Sequence, residues 1–199
     1  MKHWLAILML DTRFPRVPGD VGHPSSWRMP VRYHTVQGAS PQRVVRDGDR
    51  ALLAPFIDAA LALQAEGAAA ITTSCGFLIR FQEDLQAALK VPVWTSSLLA
   101  LPSLPRPGVI TVDAESLRID APVEGLAPGC TLQRTLLEDL PTLDVDAAEA
   151  DTVAAAERLV RRHPEVESLV FECTNLPPYA MAVERAVGQI GRASCRERV

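Results

Sequence analysis

Ile71-Thr72-Thr73-Ser74-Cys75 and Leu169-Val170-Phe171-Glu172-Cys173 stand 98 positions apart and read alike, each a short β-rich run that ends in a cysteine. Beyond each cysteine the match continues. Leu78, Phe81, Leu85 and Leu89 correspond at the same offset to Leu176, Tyr179, Val183 and Val187, one apolar helical face at identical spacing. Chance supplies a single matching cysteine far more readily than a matched strand, cysteine and helix face together. The sequence therefore predicts an internal repeat and two similar half-domains.

Outward from the repeat, short continuously apolar runs at 4–10, 69–72, 91–94, 109–112 and 169–171 have the composition of strands covered on both faces. They alternate with helical patterns at 49–66, where Leu53, Phe56, Ile57, Ala60 and Leu61 share a face, and at 148–163, where Val153, Ala156, Leu159 and Val160 do. Gly67 and Pro164 stop these two helices. Such alternation is the signature of parallel βαβ units. The expected fold is α/β, with two pseudo-symmetric lobes, each a short parallel sheet flanked by helices, and an active site in the cleft between them. Residues 1–100 form the first lobe and 101–190 the second, with exchange of terminal elements open. The proline-rich stretches 101–107 and 121–128 read as crossovers, and 14–40, rich in proline and glycine, as a lid over the cleft. At the end the repeat fails: the counterpart of Val91-Pro92-Val93-Trp94 is Gln189-Ile190-Gly191-Arg192, so a strand is expected to be missing and 191–199, with Cys195, to be a non-native tail.

The 199 residues, 48% hydrophobic and 22% charged, are enough to bury a sizeable core and are far from the composition of disorder. A formal net charge of −4 without a basic run excludes nucleic acid and an anionic membrane as expected partners. The apolar run at 4–10 is followed by Asp11 and Arg13, where a signal peptide would carry small residues, and no stretch has the roughly 20 apolar residues of a membrane span. The expected compartment is the cytoplasm. Cys75, Cys130, Cys173 and Cys195 are too far apart for a CxxC motif, and His3, His23, His34 and His163 make no i, i+4 pair, so no metal site is expected. The minimal residues of phosphate-binding, dinucleotide-binding and hydrolase-elbow motifs are absent from the sequence.

Each repeated cysteine sits where a strand gives way to a helix N-terminus, the edge of an α/β sheet at which ligands bind. The N–H groups of Gly76-Phe77 and Thr174-Asn175 are placed to hold an anion such as a carboxylate, and a helix N-terminus is expected to lower each thiol's pKa. Asn175 reads as an N-cap or a ligand donor. One thiol per facing lobe is the arrangement that moves a proton from one face of a carbon to the other, one abstracting and the other donating. No cofactor is expected. Cys130 reads as a core residue. Glu172, adjacent to Cys173, reads as a base, as a residue that orients a substrate ammonium, or as a structural residue, and strand alternation is expected to point it away from the thiol. Asp11 and Arg13 follow the first strand at the ligand edge, where Arg13 could pair with a second carboxylate or both could be loop salt-bridge partners. Thr111, Ser96 and Ser97 are candidates for cleft lining.

At the motifs Ile71-Thr72-Thr73-Ser74-Cys75-Gly76-Phe77 and Phe171-Glu172-Cys173-Thr174-Asn175-Leu176-Pro177-Pro178-Tyr179 the sequence resembles the aspartate/glutamate/hydantoin racemase superfamily. Leu10-Asp11-Thr12-Arg13-Phe14-Pro15-Arg16, Gly19-Asp20, Trp27 and Gly108-Val109-Ile110-Thr111 extend the likeness over residues 4–189. The resemblance implies a cofactor-independent racemase or epimerase of an amino acid or related carboxylate. It implies Cys75 and Cys173 as the acid/base pair and Ser74, Gly76, Thr174 and Asn175 as carboxylate-binding residues. It also implies a further strand and helix beyond the present end. Decarboxylase-like and maleate-isomerase-like cysteine chemistry belong to the same superfamily and stay open. So does a non-catalytic carboxylate-binding protein with a redox-sensitive thiol. A small carboxylate is the expected partner, with a homodimer open.

Overall fold

The computed structural model describes residues 4–188 and the backbone of 191–193. It contains two four-stranded parallel sheets. In the first, β1 (Leu5–Met9), β2 (Val31–Thr35), β3 (Ala70–Thr73) and β4 (Val93–Trp94) lie in the order β2-β1-β3-β4. In the second, β5 (Pro107–Thr111), β6 (Val123–Gly125), β7 (Ser168–Phe171) and β8 (Gly191–Ala193) lie in the corresponding order β6-β5-β7-β8. The sheets are flanked by α1 (Leu53–Ala65), α2 (Gln82–Ala88), α3 (Thr131–Leu137), α4 (Val145–Arg162) and α5 (Ala180–Val187). The fold is α/β, as the alternation of strand and helix patterns predicts.

Central strands are apolar because both faces are covered: every residue of β1 and of β7 is buried. α4 is started by Asp144, whose side chain accepts from the Ala147 N–H, and it carries Arg161 and Arg162 in its last turn, complementing the helix dipole. Its buried face, Ala148, Thr152, Ala155, Ala156 and Leu159, is mostly small and lets it lie close to β5 and α5. The eight residues matched across the repeat all pack into the main core, with only Val187 partly exposed.

Three expectations change. The segment 14–40 is more than a lid, because β2 is cut from it and pairs with β1 from Leu5↔Val31 to Met9↔Thr35. As an edge strand its pattern is half exposed, so it carries no continuous apolar run. The stretch 121–128 is likewise a strand: β6 pairs with β5 from Val109↔Val123 to Thr111↔Gly125. Finally, the strand expected to be missing is present as β8, paired with β7 from Ser168↔Gly191 to Val170↔Ala193. Parallel pairing uses backbone N–H and C=O groups, so Gly-Arg-Ala can extend a sheet edge without a β-rich composition. The rest of the expected tail, 194–199 with Cys195, lies outside the described residues.

Candidate active site

β3 and β7 each end two residues before a cysteine, and a tight turn follows it. Cys75 has φ −151° and ψ 121° and precedes a 3-10 helix at Gly76–Phe81. In both halves the turn is closed the same way: the Leu78 N–H donates to the Cys75 carbonyl and the Leu176 N–H to the Cys173 carbonyl, each at 3.1 Å. The two thiols thus leave the carboxyl ends of equivalent strands. They line one cavity of about 30 Å³, together with Leu10, Phe14 and Arg16 after β1, Ser74 and Phe77 around Cys75, Val112 after β5, Leu136 and Leu137 from α3, and Glu172 and Asn175 around Cys173. That space holds a water or two.

Polar contacts sew the halves together around the cavity. Thr174 Oγ1 donates to the Ser74 carbonyl at 2.5 Å, and Ser97 Oγ donates to the Phe171 carbonyl at 2.7 Å. A chain of hydrogen bonds reaches Cys173 from the β1–β2 loop. Arg16 Nη1 donates to Asp20 Oδ1 at 2.9 Å, Asn175 Nδ2 donates to Asp20 Oδ2 at 2.5 Å, and Cys173 Sγ donates to Asn175 Oδ1 at 3.4 Å. The Arg16 side chain is only 11% exposed, and its guanidinium also sits 4.8 Å from the Phe14 ring centroid.

The expected residues divide into three groups. Cys75, Cys173, Ser74, Phe77 and Asn175 line the cavity. Gly76, Thr111 and Thr174 are buried beside it in supporting roles: Thr111 Oγ1 donates to Glu172 Oε2 at 2.7 Å, and a Cβ on Gly76 would meet the Glu172 carbonyl at 2.3 Å and Oε1 at 2.5 Å. Asp11 and Arg13 are elsewhere. Asp11 is exposed and accepts from the Gly38 N–H at 2.9 Å, while the Arg13 side chain, 73% exposed, binds Asp139. Arg13 makes the loop ion pair and Asp11 accepts a backbone N–H; neither lines the cavity, which the chain rejoins at Phe14 and Arg16. Among the other candidates, Ser96 caps the turn after β4, His23 caps a turn at Pro24–Ser26, and His34 is exposed on β2.

The thiols do not have lowered pKa values. Burial pushes Cys75 up to about 12, with Glu172 adding to the shift, and burial followed by Glu172 pushes Cys173 well above the ordinary thiol value. Cys75 caps a 3-10 helix at Gly76–Phe81, whereas Cys173 opens a turn that precedes a 3-10 helix at Pro177–Tyr179. Each turn supplies one opposing N–H, from Phe77 to Cys75 and from Asn175 to Cys173.

The sequence does not single out Arg16 or Asp20 as site residues, and it misplaces Glu172. Glu172 lies one residue past the end of β7, where strand alternation no longer governs, and its side chain is fully buried on the cavity beside Cys173. Burial raises its carboxyl to about 8 against the Thr111 hydrogen bond and the Arg80 charge. Arg16 and Asp20 carried an i, i+4 charge pairing, but within a segment with no helical period to single it out.

No protein-family model matches the chain. It is 32% identical over 211 residues to dimethylsulfoniopropionate lyase 3 of Emiliania huxleyi (strain CCMP1516), a match covering 92% of this chain and 54% of that protein. It is 29% identical over 209 residues to the dimethylsulfoniopropionate lyase of Durusdinium sp. clade D, covering 92% and 69%. The chain spans about half the length of the first of these relatives. Among solved structures, unliganded arylmalonate decarboxylase aligns with a TM-score of 0.62 at 19% identity over 98% of this chain and 88% of its own. Glutamate racemase from Bacillus anthracis aligns with a TM-score of 0.60 at 15% identity over 99% and 79%. Among the described residues no helix is long and apolar enough to cross a membrane. Two parallel sheets in matching strand order, meeting at a pair of thiols, give this chain the two-lobed α/β fold of arylmalonate decarboxylase and glutamate racemase.

Proposed function

We propose that the protein is an enzyme that moves a proton at the carbon next to a carboxylate, with Cys75 and Cys173 as opposed acid and base. The observation that carries this reading is the delivery of one thiol from each half to a single cavity that is also lined by Arg16, its side chain mostly covered. The substrate carboxylate lies against Arg16, two of whose five N–H donors are taken by Asp20 and Thr12. As the α-proton passes to one thiolate, negative charge grows on that carboxylate, and a fixed cation there stabilises the transition state more than the ground state. The Phe77 and Asn175 N–H groups stabilise whichever sulfur is ionised. Return of a proton from the opposite thiol inverts the carbon, which is racemisation, and the step is complete with these side chains alone.

A second reading is favoured by the names of the sequence relatives. If the carbanion expels a sulfonium group in place of being reprotonated, the same first step becomes an elimination: a dimethylsulfonio-propionate loses a proton and dimethyl sulfide and leaves acrylate. The apolar walls formed by Phe14 and Phe77 suit the methyl groups of such a substrate. The deciding experiment is incubation in D₂O with aspartate, glutamate, a hydantoin and dimethylsulfoniopropionate, following loss of the α-C–H signal and release of dimethyl sulfide. Exchange without release supports racemisation, and release supports the lyase reading. Neither, or activity unchanged in both Cys75→Ser and Cys173→Ser, overturns the proposal.

A further inference from the structure

Glu172 is a fully buried carboxyl that adjoins both thiols: it is the chain neighbour of Cys173, and it packs on Gly76, the chain neighbour of Cys75. Its two oxygens differ. Oε2 accepts the Thr111 hydroxyl at 2.7 Å, whereas Oε1 is sealed from solvent without a hydrogen-bond partner. A buried polar atom left unpaired costs on the order of 1–3 kcal/mol, so its retention calls for a task. Gly76 is what makes room for it, since any Cβ there would stand 2.5 Å from Oε1.

We propose that Glu172 is a positioning residue that holds the exchangeable proton of the thiol pair, its Oε1 taking that proton from whichever cysteine is about to act as base. The inference rests on the proton-transfer reading above. In the activating step the S–H bond breaks, an O–H bond forms on Oε1, and the carboxylate's negative charge passes to sulfur: thiol plus carboxylate gives thiolate plus carboxylic acid. The thiolate then takes the substrate proton, the opposite thiol delivers its own, and the thiolate left behind recovers a proton from Glu172. The carboxyl, the two thiols and the reacting carbon together carry one negative charge throughout, so no charge need cross the apolar walls.

The groups facing this carboxyl agree with that role. They are Cys75 and Arg80 from the first half and Thr111 and Cys173 from the second, while Asp20 and Arg16 in the β1–β2 loop act on the sulfurs. Ionised Glu172 raises both thiols, and its own carboxyl loses a proton near pH 8. The three acids titrate as a coupled set in which removing the first proton makes a small population of thiolate available.

The test needs no substrate. Alkylation of Cys75 and Cys173 by iodoacetamide is followed by peptide mass against pH in the wild type, Glu172→Gln and Glu172→Asp, with partly exposed Cys130 as internal control. In the wild type both thiols should gain reactivity in a first step near pH 8. Glu172→Gln should lose that step and show a single ionisation at higher pH, and Glu172→Asp should keep a first step at a shifted pH. Identical profiles in the wild type and Glu172→Gln overturn the proposal. If Glu172→Gln does not fold, ¹³C NMR of glutamate-labelled wild type decides. One carboxyl should titrate near pH 8 and shift when both thiols are alkylated, whereas titration of every glutamate below about pH 6, or no response to alkylation, overturns it. Failure of α-proton exchange in the earlier assay would leave these readouts intact, so the two ideas fail separately.

Discussion

The two cysteine turns share a backbone and differ in what flanks the sulfur. In the first half Cys75 lies between Ser74 and Gly76, and in the second Cys173 lies between Glu172 and Thr174. Contacts cross between them: the residue before one cysteine meets the residue after the other. Glu172 packs on Gly76, and Ser74 receives the Thr174 hydroxyl. This is the reciprocal pairing of a two-fold interface, made within one chain and made unequal. A large acidic side chain faces the smallest residue, and a small one faces a β-branched hydroxyl. Repetition built the site, and asymmetry at the flanking positions placed one carboxyl among two thiols.

The largest break in that comparison comes from Gly76→Ala. Its Cβ would meet the Glu172 backbone carbonyl at 2.3 Å, and backbone has little freedom to give. Overpacking of this kind costs about 1–3 kcal/mol; thermal denaturation should place this variant at the upper end, with α-proton exchange lost. The matching change in the other half, Thr174→Val, keeps the shape and removes the hydroxyl, leaving the Ser74 carbonyl short of a donor at a cost of about 1–2 kcal/mol in chemical denaturation.

A third prediction concerns Glu172 itself. Its carboxyl is raised from an ordinary 4.5 to about 8 in the folded chain, so between those values the folded state holds a proton that the unfolded state has lost. Stability is therefore full below about pH 4.5 and falls as pH rises toward 8, with a slope of at most about 1.4 kcal/mol per pH unit from this group. In a urea series against pH, Glu172→Gln should flatten that decline, and an unchanged slope would show that the carboxyl is not held neutral. The smallest effect is expected for Arg13→Ala. An exposed ion pair with Asp139 contributes about 0–1 kcal/mol, and proton-exchange activity should stay near wild type. A large rise in KM would return Arg13 to the substrate site.

The central strands and both thiols were legible because burial on two faces leaves a continuous apolar signature and because the repeat marks the cysteines twice. Edge strands β2 and β6 were not, since half-exposed residues dilute that signature. At the site, the sequence could place Ser74, Phe77 and Asn175 by their adjacency to the thiols. Arg16 and Asp20 arrive through a loop whose path has no periodicity to read. The direction of the thiol pKa shifts is not legible in the sequence for a related reason: a helix end is visible there, whereas burial and a neighbouring carboxyl arise only once the chain is folded.

The β1–β2 loop leaves the first sheet yet is fastened to the second half. Arg13 and Phe14 donate backbone N–H groups to the Asp139 carboxylate, Asp20 receives Asn175, and the Val21 N–H reaches the Thr174 carbonyl at 3.4 Å. Gly19, with φ +106°, lies so close to Pro178 that a Cβ would stand 2.9 Å from its Cα. In mechanical terms this segment is a belt buckled to the opposite body. A cavity with room for one or two waters must widen to admit a substrate, and the sheets cannot separate until that buckle slips or the belt pays out from its anchor at Leu10. On the proposed function, entry would then depend on a handful of hydrogen bonds along residues 13–21, a chain that ends through Asn175 on the Cys173 sulfur.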